Sequence, residues 1–264
     1  MTAEGASGIL NSPAGLAKFA TSSHPASLAL APFVDFYWIV SWDLRGRESH
    51  TQHVLTHPTV HLVFQQDRCG VYGVMGTRFT EVLHGAGRVL GVRFRPGGFR
   101  PFLRAPVSTI TDRFLGIQEV FGNGSSAAGR AVLDAPHECE MVAEADRFLC
   151  GVRPERDPVA EAVAEIVDHI AARPDITRVD QLARDHGVGS RQLQRLFSEY
   201  VGVGPKRVIR RYRLQEAADR LAREAEAHPA ALAHDLGYSD QAHFTRDFAA
   251  AIGTPPRRYS QRCP

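Results

Sequence analysis

A repeated segment in the last third of the 264-residue chain is the feature that most limits what the chain can fold into. Leu182–Ala183, Asp185 and Gly187 recur 50 positions later, and Arg195, Phe197, Gly202 and Pro205 recur 51 positions later, after one inserted residue. Solenoids need about three copies to bury their faces, and this chain has a pair. The repeat therefore predicts a duplicated structural motif.

Each copy predicts two short helices joined by a turn at a glycine. Gly187 or Gly237 ends the first helix, because a left-handed backbone costs least at glycine. The second helix begins near Gly189–Ser190 or Ser239–Asp240 and carries leucine or phenylalanine on one face and polar residues on the other. Two helices joined in this way form a helix-turn-helix, whose second helix lies in the major groove of DNA.

The segment between the copies, "PKRVIRRYRLQEAADRLAR", predicts a long helix that starts at Pro205 and has an apolar face. A rigid helix here would fix the distance between two recognition helices, which are about 34 Å apart when they read one face of B-DNA. The charge is unevenly distributed. The whole chain carries +2, whereas the segment from Pro174 to Pro264 has 15 Lys and Arg against 11 Asp and Glu, or +4. The C-terminal part is therefore the basic part, which permits nucleic-acid binding.

These motifs, in this order, resemble the DNA-binding domain of the AraC family of transcriptional regulators. The resemblance runs from about Val159 to Tyr259 and rests on "SRQLQRLF", "RRYRLQEAADRL", "LGYSDQAHFTRDF" and "GTPPRRY". It implies an all-α domain of two helix-turn-helix motifs joined by a long helix, with sequence-specific binding to double-stranded promoter DNA. RNA polymerase and a second copy of the chain are the further candidate partners.

The resemblance also implies which residues contact DNA. These are Arg191, Gln194 and Arg195 in the first copy and Gln241, His243 and Arg246 in the second, with Ser190 and Arg210 completing the predicted set. Arginine pairs with guanine and glutamine with adenine, so the residue types fit base contacts. Arg195, Arg246 and Arg210 are also candidates for phosphate contacts. The alternative, solvated faces of ordinary helices, is disfavoured because the polar faces match in both copies.

The first third of the chain predicts strands. In "VDFYWIVSWD", Val34, Phe36, Trp38, Val40 and Trp42 share one parity, which is typical of a half-buried strand. Short runs such as "TVHLVFQ", "CGVYGVMG", "TEVLHG" and "RVLGVRFR" follow, and together they favour a barrel or sandwich. The aromatic residues are candidates for a pocket lining, but their strand spacing favours the core. Helical spacing predicts a helix between Phe102 and Phe121.

The stretches "VDFYWIVSWDLRG", "HPTVHLVF" and "LGVRFRPGGFRPFL" resemble a cupin-like sensor domain that precedes AraC-type domains. This resemblance implies a barrel with an effector pocket or a dimer surface. We therefore predict an α+β chain in three parts: a β-rich sensor or dimerisation domain with flanking helices over residues 1–150, a linker over 151–158, and an all-α DNA-binding domain over 159–264.

Four residues are candidates to contact a small-molecule effector: Arg93, Arg95, His57 and His61. The two arginines share one strand face and could clamp an anion, although an exposed strand edge explains them more simply. His53, His57 and His61 have helical spacing, but Pro58 and β-branched neighbours favour a strand. In a strand the neighbours would be about 13 Å apart, too far to share one metal ion.

Other sequence features bound the function. Four widely spaced cysteines contain no C-x-x-C pair, which disfavours a zinc ribbon. The sequence shows neither a signal peptide nor an apolar stretch of about 18 residues, so we expect a cytoplasmic protein without a membrane partner. A metal-dependent cupin enzyme would need ligands converging from separate strands, such as one histidine with His84. A non-DNA interaction module would lack matched polar faces. The duplicated motif favours a regulator without catalytic residues, metal or cofactor.

Overall fold

The two halves of the chain form different kinds of structure, as the change in sequence periodicity predicts. The computed structural model describes residues 17–223 and 229–261. The strands are β1 (Ala20–Pro25), β2 (Val34–Asp43), β3 (His50–Val54), β4 (His61–Phe64), β5 (Gly70–Tyr72), β6 (Phe79–Leu83), β7 (Ala86–Phe94) and β8 (Phe114–Gly116).

Helices follow the strands and fill the C-terminal half. They are α1 (Arg100–Leu103), a 3₁₀ turn (Val107–Ile110), α2 (Ile117–Phe121), α3 (Ser125–Asp134), α4 (Glu138–Val152), α5 (Pro158–Ala172), α6 (Val179–Asp185), α7 (Ser190–Leu196), a π-helical turn (Phe197–Val201), α8 (Pro205–Arg223), α9 (Pro229–Asp235), α10 (Gln241–Ile252) and α11 (Pro256–Ser260). The α+β fold class is confirmed.

The strands form an antiparallel sheet of six, in the order β1-β2-β7-β4-β5-β8, and a separate pair, β3-β6. Strand β2 lies between β1 and β7, so both of its edges are paired. Residues from both sheets line one cavity, which lies between the pair and one face of the larger sheet.

The two faces of β2 have different neighbours. Tyr37 and Ile39 are buried in the main core, where the Tyr37 hydroxyl donates to Asp146 Oδ1 of α4 at 2.9 Å. Phe36 and Trp38, on the opposite face, line the cavity. Trp38 and Trp42 also pack against a small buried cluster, so the aromatic residues of this face divide between cavity lining and core. Parity alone did not distinguish the two environments, because both faces of the strand are covered.

The predicted helix between Phe102 and Phe121 was also wrong. Arg104 ends α1 with a left-handed φ of 55°, and Asp112 has a φ of 57° just before β8. The backbone N–H of Asp112 donates to Val74 O at 3.1 Å, so a contact distant in sequence holds this turn. Such a contact outweighs local apolar spacing.

The predicted strand through the three histidines is interrupted. His53 lies in β3 and His61 begins β4, whereas His57 lies in the segment between these two strands. The predicted linker 151–158 overlaps the ends of two helices, since α4 extends to Val152 and α5 begins at Pro158. Pro158 suits this first helical position because its missing N–H would have no partner there.

Both predicted helix-turn-helix units are present. Gly187 and Gly237 follow α6 and α9 with φ of 64° and 69°, as expected for glycines that end helices. Gly202 and Gly253 have φ of 94° and 88° after the second helix of each unit. The 19-residue helix α8 joins the two units, so the duplicated sequence forms a duplicated structure.

Candidate nucleic-acid interface and sensor cavity

Helix α7 presents the predicted polar residues of the first unit to solvent. Arg191, Gln194 and Arg195 are exposed, as is Ser190 at the helix start. Leu193, on the opposite face, is fully buried. Gly189 precedes the helix and provides no side-chain cap. Packing of Leu193 therefore fixes the orientation of this helix without the help of a side-chain cap.

Helix α10 presents the second polar set in the same way. Gln241, His243 and Arg246 are exposed, and Phe244 and Phe248 are fully buried behind them. Asp240 caps this helix, because its side chain accepts a hydrogen bond from the backbone N–H of His243 at 2.7 Å. That hydrogen bond lowers the pKa of the Asp240 carboxyl. Helix α10 thus has the cap that α7 lacks.

Arg210 of α8 contacts α10 on the face that carries His243. Its Nε and Nη2 lie 2.9 Å from the two carboxylate oxygens of Asp247, and His243 Nε2 lies 3.7 Å from the same carboxylate. A bidentate arginine–carboxylate pair fixes orientation as well as distance. The sequence reasoning missed Asp247, although its spacing of four from His243 placed both on one helix face. Arg210, predicted to contact DNA, is engaged within the protein.

Two segments of the N-terminal half, residues 73–78 and 107–112, contact the helix-turn-helix half of the chain and are called the bracket below. Asp112 joins them, since its carboxylate accepts from the Gly76 N–H. The same carboxylate pairs with Arg207 of α8 at 3.2 Å. Arg211 Nη2 donates to Met75 O at 3.0 Å, and burial lowers the pKa of Arg211 to about 10. The bracket therefore holds the first half of α8.

The bracket also contacts both helix-turn-helix units close to the matching glycines of the repeat. Thr111 Oγ1 donates to Gly202 O at 2.6 Å, and Arg78 Nη1 donates to Ile252 O at 2.9 Å, beside Gly253. A Cβ at Gly253 would overlap the Arg78 guanidinium. Gly202 and Gly253 are the matching glycines of the two copies. Each contact lies at the C-terminal end of its unit's second helix, away from the exposed first turn.

A cavity of about 180 Å³ lies inside the N-terminal domain. Apolar side chains form most of its wall, among them Phe36, Trp38, Val63, Phe79 and Val89. Its polar lining residues include Thr56, His57, His61, Glu81 and Arg93. Three of the four predicted effector residues therefore line the cavity, and Arg95 does not. Arg95 Nη2 instead lies 3.5 Å from Asp168 Oδ2 of α5.

His57 and His61 are held in their neutral form. Burial, with a further contribution from Arg93, lowers the pKa of each to about 3. Arg93 Nε lies 3.1 Å from Asp35 Oδ2, although its N–H does not point at that oxygen, and its guanidinium stacks on Phe36 at 5.1 Å. The positive charge of the cavity is thus already accompanied by a carboxylate.

Residues that line the cavity also contact α8. His57 lines the cavity, and its ring lies 6.1 Å from the ring of Tyr212 on α8. Met75 also lines the cavity, while its carbonyl accepts the hydrogen bond from Arg211. His57 further lines a second cavity, of about 160 Å³, which reaches Tyr212 and Arg213. One layer of residues therefore separates the cavity from the helix that joins both helix-turn-helix units.

Other candidate chemistry is sparse in the described part of the chain. Over residues 17–223 and 229–261, no group of three or more His, Cys, Asp or Glu side chains is arranged to hold a metal ion. Cys69, Cys139 and Cys150 are free thiols, and Cys263 lies outside the described residues. None of the described helices is both long and apolar enough to cross a bilayer.

Comparison with solved structures finds bacterial proteins with low overall superposition. One is a transcriptional regulator from Chromobacterium violaceum with an AraC-type DNA-binding domain, 28% identical, which covers 37% of this chain and 88% of its own at a TM-score of 0.34. ToxT from Vibrio cholerae is 11% identical and covers 94% of this chain and 98% of its own at a TM-score of 0.39. TM-scores below 0.5 do not by themselves assign a fold.

Comparison with sequence families and curated proteins is more specific. Residues 22–116 match a domain of unknown function (DUF6597), and residues 182–262 match a helix-turn-helix domain. PqrA of Proteus vulgaris, a probable transcription factor, is 32% identical over 84 residues, which cover 32% of this chain and 68% of PqrA. The chain belongs to the AraC family of transcriptional regulators.

Another AraC-family relative is longer than the matched region. The transcriptional activator RhaS of Escherichia coli is 32% identical over 99 residues, which cover 38% of this chain and 34% of RhaS. The chain thus matches about a third of the length of RhaS. The family likeness of this chain lies in its helix-turn-helix region, residues 182–262.

Proposed function

We propose that the chain regulates transcription by placing α7 and α10 in successive major-groove segments of one promoter. The observation that carries this proposal is the matched pair of exposed polar faces, Arg191–Gln194–Arg195 and Gln241–His243–Arg246. Arginine and glutamine read guanine and adenine in the major groove. The polar helix face that occurs twice in the chain is suited to DNA contact, so we infer that the protein is a regulator and not an enzyme.

The connecting helix supports simultaneous reading by both units. Its 19 residues span about 28 Å at 1.5 Å per residue. This length is comparable with the roughly 34 Å that separates recognition helices on one face of B-DNA. The ion pair between Arg210 and Asp247 ties α8 to α10, so the spacing is built into the folded domain. RNA polymerase and a second copy of the chain are the protein partners that this role implies.

We further propose that a small molecule in the N-terminal cavity modulates DNA binding. Met75 and His57 line the cavity and also contact α8, directly or through a hydrogen bond. An occupant that displaces either residue changes how the bracket holds α8 and the two glycine turns. A ligand shifts an equilibrium only through different affinities for its two states, and this shared wall supplies such a difference.

Selection of binding sites from random DNA tests the role of α7. Arg191→Ala and Gln194→Ala are each expected to relax preference at one or two base pairs by about 1–3 kcal/mol, because each removes a pair of hydrogen bonds to a base edge. Arg147→Ala is the matched control, since Arg147 is an exposed arginine on α4 of the other domain. The control should select the wild-type motif.

Two results would count against this role. An unchanged motif for both α7 variants would remove Arg191 and Gln194 as base readers. Binding of the wild-type chain to promoter fragments no more tightly than to random DNA would reject sequence-specific regulation altogether.

A further inference from the structure

The chemistry of the N-terminal cavity limits which molecule fits it, and this inference rests on the proposed role of the cavity as an effector site. The cavity measures about 180 Å³. A protein cavity of about 150 Å³ with an apolar lining binds benzene. The occupant is therefore compact, of the size of one ring with a short substituent, and most of its surface must be apolar.

His61 provides a hydrogen-bond donor of known position. Trp38 Nε1 lies 3.3 Å from His61 Nδ1, and an indole nitrogen can only donate. Nδ1 must therefore accept, and the proton of the neutral ring is on Nε2. Gly91 allows this arrangement, because a Cβ there would overlap the Trp38 indole. The tautomer of His61 thus follows from its neighbour.

The Nε2 donor is buried and has no hydrogen-bond partner among residues 17–223 and 229–261. A buried donor without an acceptor costs free energy, which an acceptor on the occupant would restore. Thr56 Oγ1, also on the cavity wall, is a second buried polar atom without a partner in the same described ranges. Both observations indicate an occupant that carries a polar atom.

The charges around the cavity favour an uncharged acceptor. Arg93 Nε lies 3.1 Å from Asp35 Oδ2, without a hydrogen bond to it, and the guanidinium stacks on Phe36, so a carboxylate already lies beside its charge. Glu81 also lines the cavity, and Gln65 Nε2 lies 3.5 Å from its carboxylate. An anionic occupant would be repelled by that carboxylate in an apolar site, whereas an uncharged oxygen would not be repelled.

We propose that the cavity binds a compact, mainly apolar molecule that carries one uncharged oxygen and accepts a hydrogen bond from His61 Nε2. A ketone, aldehyde, ether or alcohol on a single ring or short branched chain has this chemistry. His61 is the residue that selects the oxygen, and Trp38 positions it.

Three small probes of similar size test the proposal on the full chain. Acetophenone carries the carbonyl, and α-methylstyrene has a CH₂ group in place of its oxygen. Benzoate has a carboxylate in place of the whole acetyl group. Dissociation constants are measured by ligand-observed NMR titration. Because water solvates the probes differently, the quantity compared between proteins is the ratio of the dissociation constants of α-methylstyrene and acetophenone.

Variants then assign the preference to His61. His61→Phe should lower this ratio about tenfold, because the donor is lost while an aromatic ring remains. His61→Gln retains an N–H donor and should keep part of the preference. Trp38→Phe frees the tautomer and should lower the ratio without removing His61. His53→Phe is the control and should leave the ratio unchanged, since His53 is outside the cavity and contacts Thr80.

The outcomes separate failure of this proposal from failure of the proposed function. If α-methylstyrene binds but the ratio is the same in the wild type and His61→Phe, the oxygen preference is rejected and the cavity remains a ligand site. Tighter binding of benzoate than of acetophenone also rejects it. If none of the probes binds, this ligand class is rejected, whereas specific operator binding by the same protein would leave the proposed regulatory function standing. Urea unfolding followed by tryptophan fluorescence confirms that each variant is folded.

Discussion

Gly91, on β7, shows how one residue affects the shape of the N-terminal cavity. Its backbone needs no special conformation, since it is not among the residues with positive φ. What it provides is space, because a Cβ at this position would overlap two carbon atoms of the Trp38 indole. The indole can therefore lie over β7 and reach His61 on the next strand.

Gly91→Ala should lower the free energy of unfolding by about 1–3 kcal/mol, because an added methyl group in a packed site forces its neighbours to move. Urea unfolding followed by tryptophan fluorescence measures this change. Gly151→Ala is the matched control: it lies in α4, nothing lies within 4 Å of its added Cβ, and helix propensity favours alanine. Equal effects of the two substitutions would show that space at Gly91 is unimportant.

For single residues, the sequence predicts which side chains are exposed but not which other side chains they contact. The exposed sets on α7 and α10 follow from helical periodicity, which places Leu193 and Phe244 on the opposite faces. The partner of Arg210 does not follow from periodicity, because Asp247 is on another helix, 37 residues away. Whether an arginine faces DNA or a carboxylate depends on how two helices pack.

At the scale of elements, the bracket makes the same kind of contact with each helix-turn-helix unit. Thr111 holds the turn after α7 and its π-helical extension, and Arg78 holds the turn after α10. Both contacts are to backbone carbonyls at the end of a helix, where such groups otherwise lack partners. The N-terminal half thus contacts both units on the side away from the first turns of α7 and α10.

Arg78→Ala should make the protein more tolerant of altered half-site spacing, because the end of α10 loses its hydrogen bond to the bracket. We expect the penalty for one extra base pair between the half-sites to fall by about 1 kcal/mol, the typical net worth of one hydrogen bond. Competition gel shifts with the selected site and its one-base-pair insertion measure the penalty.

Arg88→Ala is the control for this prediction. Arg88 also donates to backbone carbonyls, Leu133 O and Pro136 O, but both belong to the N-terminal domain. Its removal should leave the spacing penalty at the wild-type value. If Arg78→Ala and Arg88→Ala behave identically, the bracket does not set the spacing.

Elements are predictable where local signals agree. The helix-turn-helix units carry glycine stops, caps and periodic apolar residues in two copies, and all of these indicate the same structure. Between Phe102 and Phe121 the apolar spacing indicates a helix, but the left-handed residues Arg104 and Asp112 break it. The hydrogen bonds that hold Asp112 come from residues 74 and 76, and no local pattern reveals them.

At the scale of the whole molecule, contacts between the domains are the part that sequence cannot supply. Arg78 and Ile252 are 174 residues apart, and neither belongs to a motif that names the other. Repeats and periodicity describe each domain separately. How the domains pack depends on the shapes of the surfaces that the two domains present once they are folded.

The two buried histidines make the stability of the molecule sensitive to acid. In the unfolded chain a histidine takes up a proton near pH 6.5, whereas burial keeps His57 and His61 neutral in the folded protein until about pH 3. The unfolding free energy should therefore keep the whole contribution of these histidines above pH 6.5 and decrease as the pH falls towards 3. At pH 5 the expected loss is about 2 kcal/mol for each histidine.

Urea unfolding at pH 7 and pH 5 measures this loss. His61→Phe should remove about half of the contribution of the pair, because phenylalanine takes up no proton in either state. His234→Phe is the control, since the His234 side chain is 92% exposed and its loss should leave the pH dependence nearly unchanged. A pH dependence that is identical in the wild type and His61→Phe would contradict burial of a neutral His61.

Met75 belongs to the cavity wall and, through its carbonyl, to the grip on Arg211. Coupling through such a shared residue is reciprocal: whatever factor an occupant applies to operator affinity, the operator applies to the affinity for the occupant. Molecules bound at a promoter would then respond to a different concentration of the small molecule than molecules free in solution. The DNA would itself act as an effector, and the threshold for a response would be set separately at each promoter.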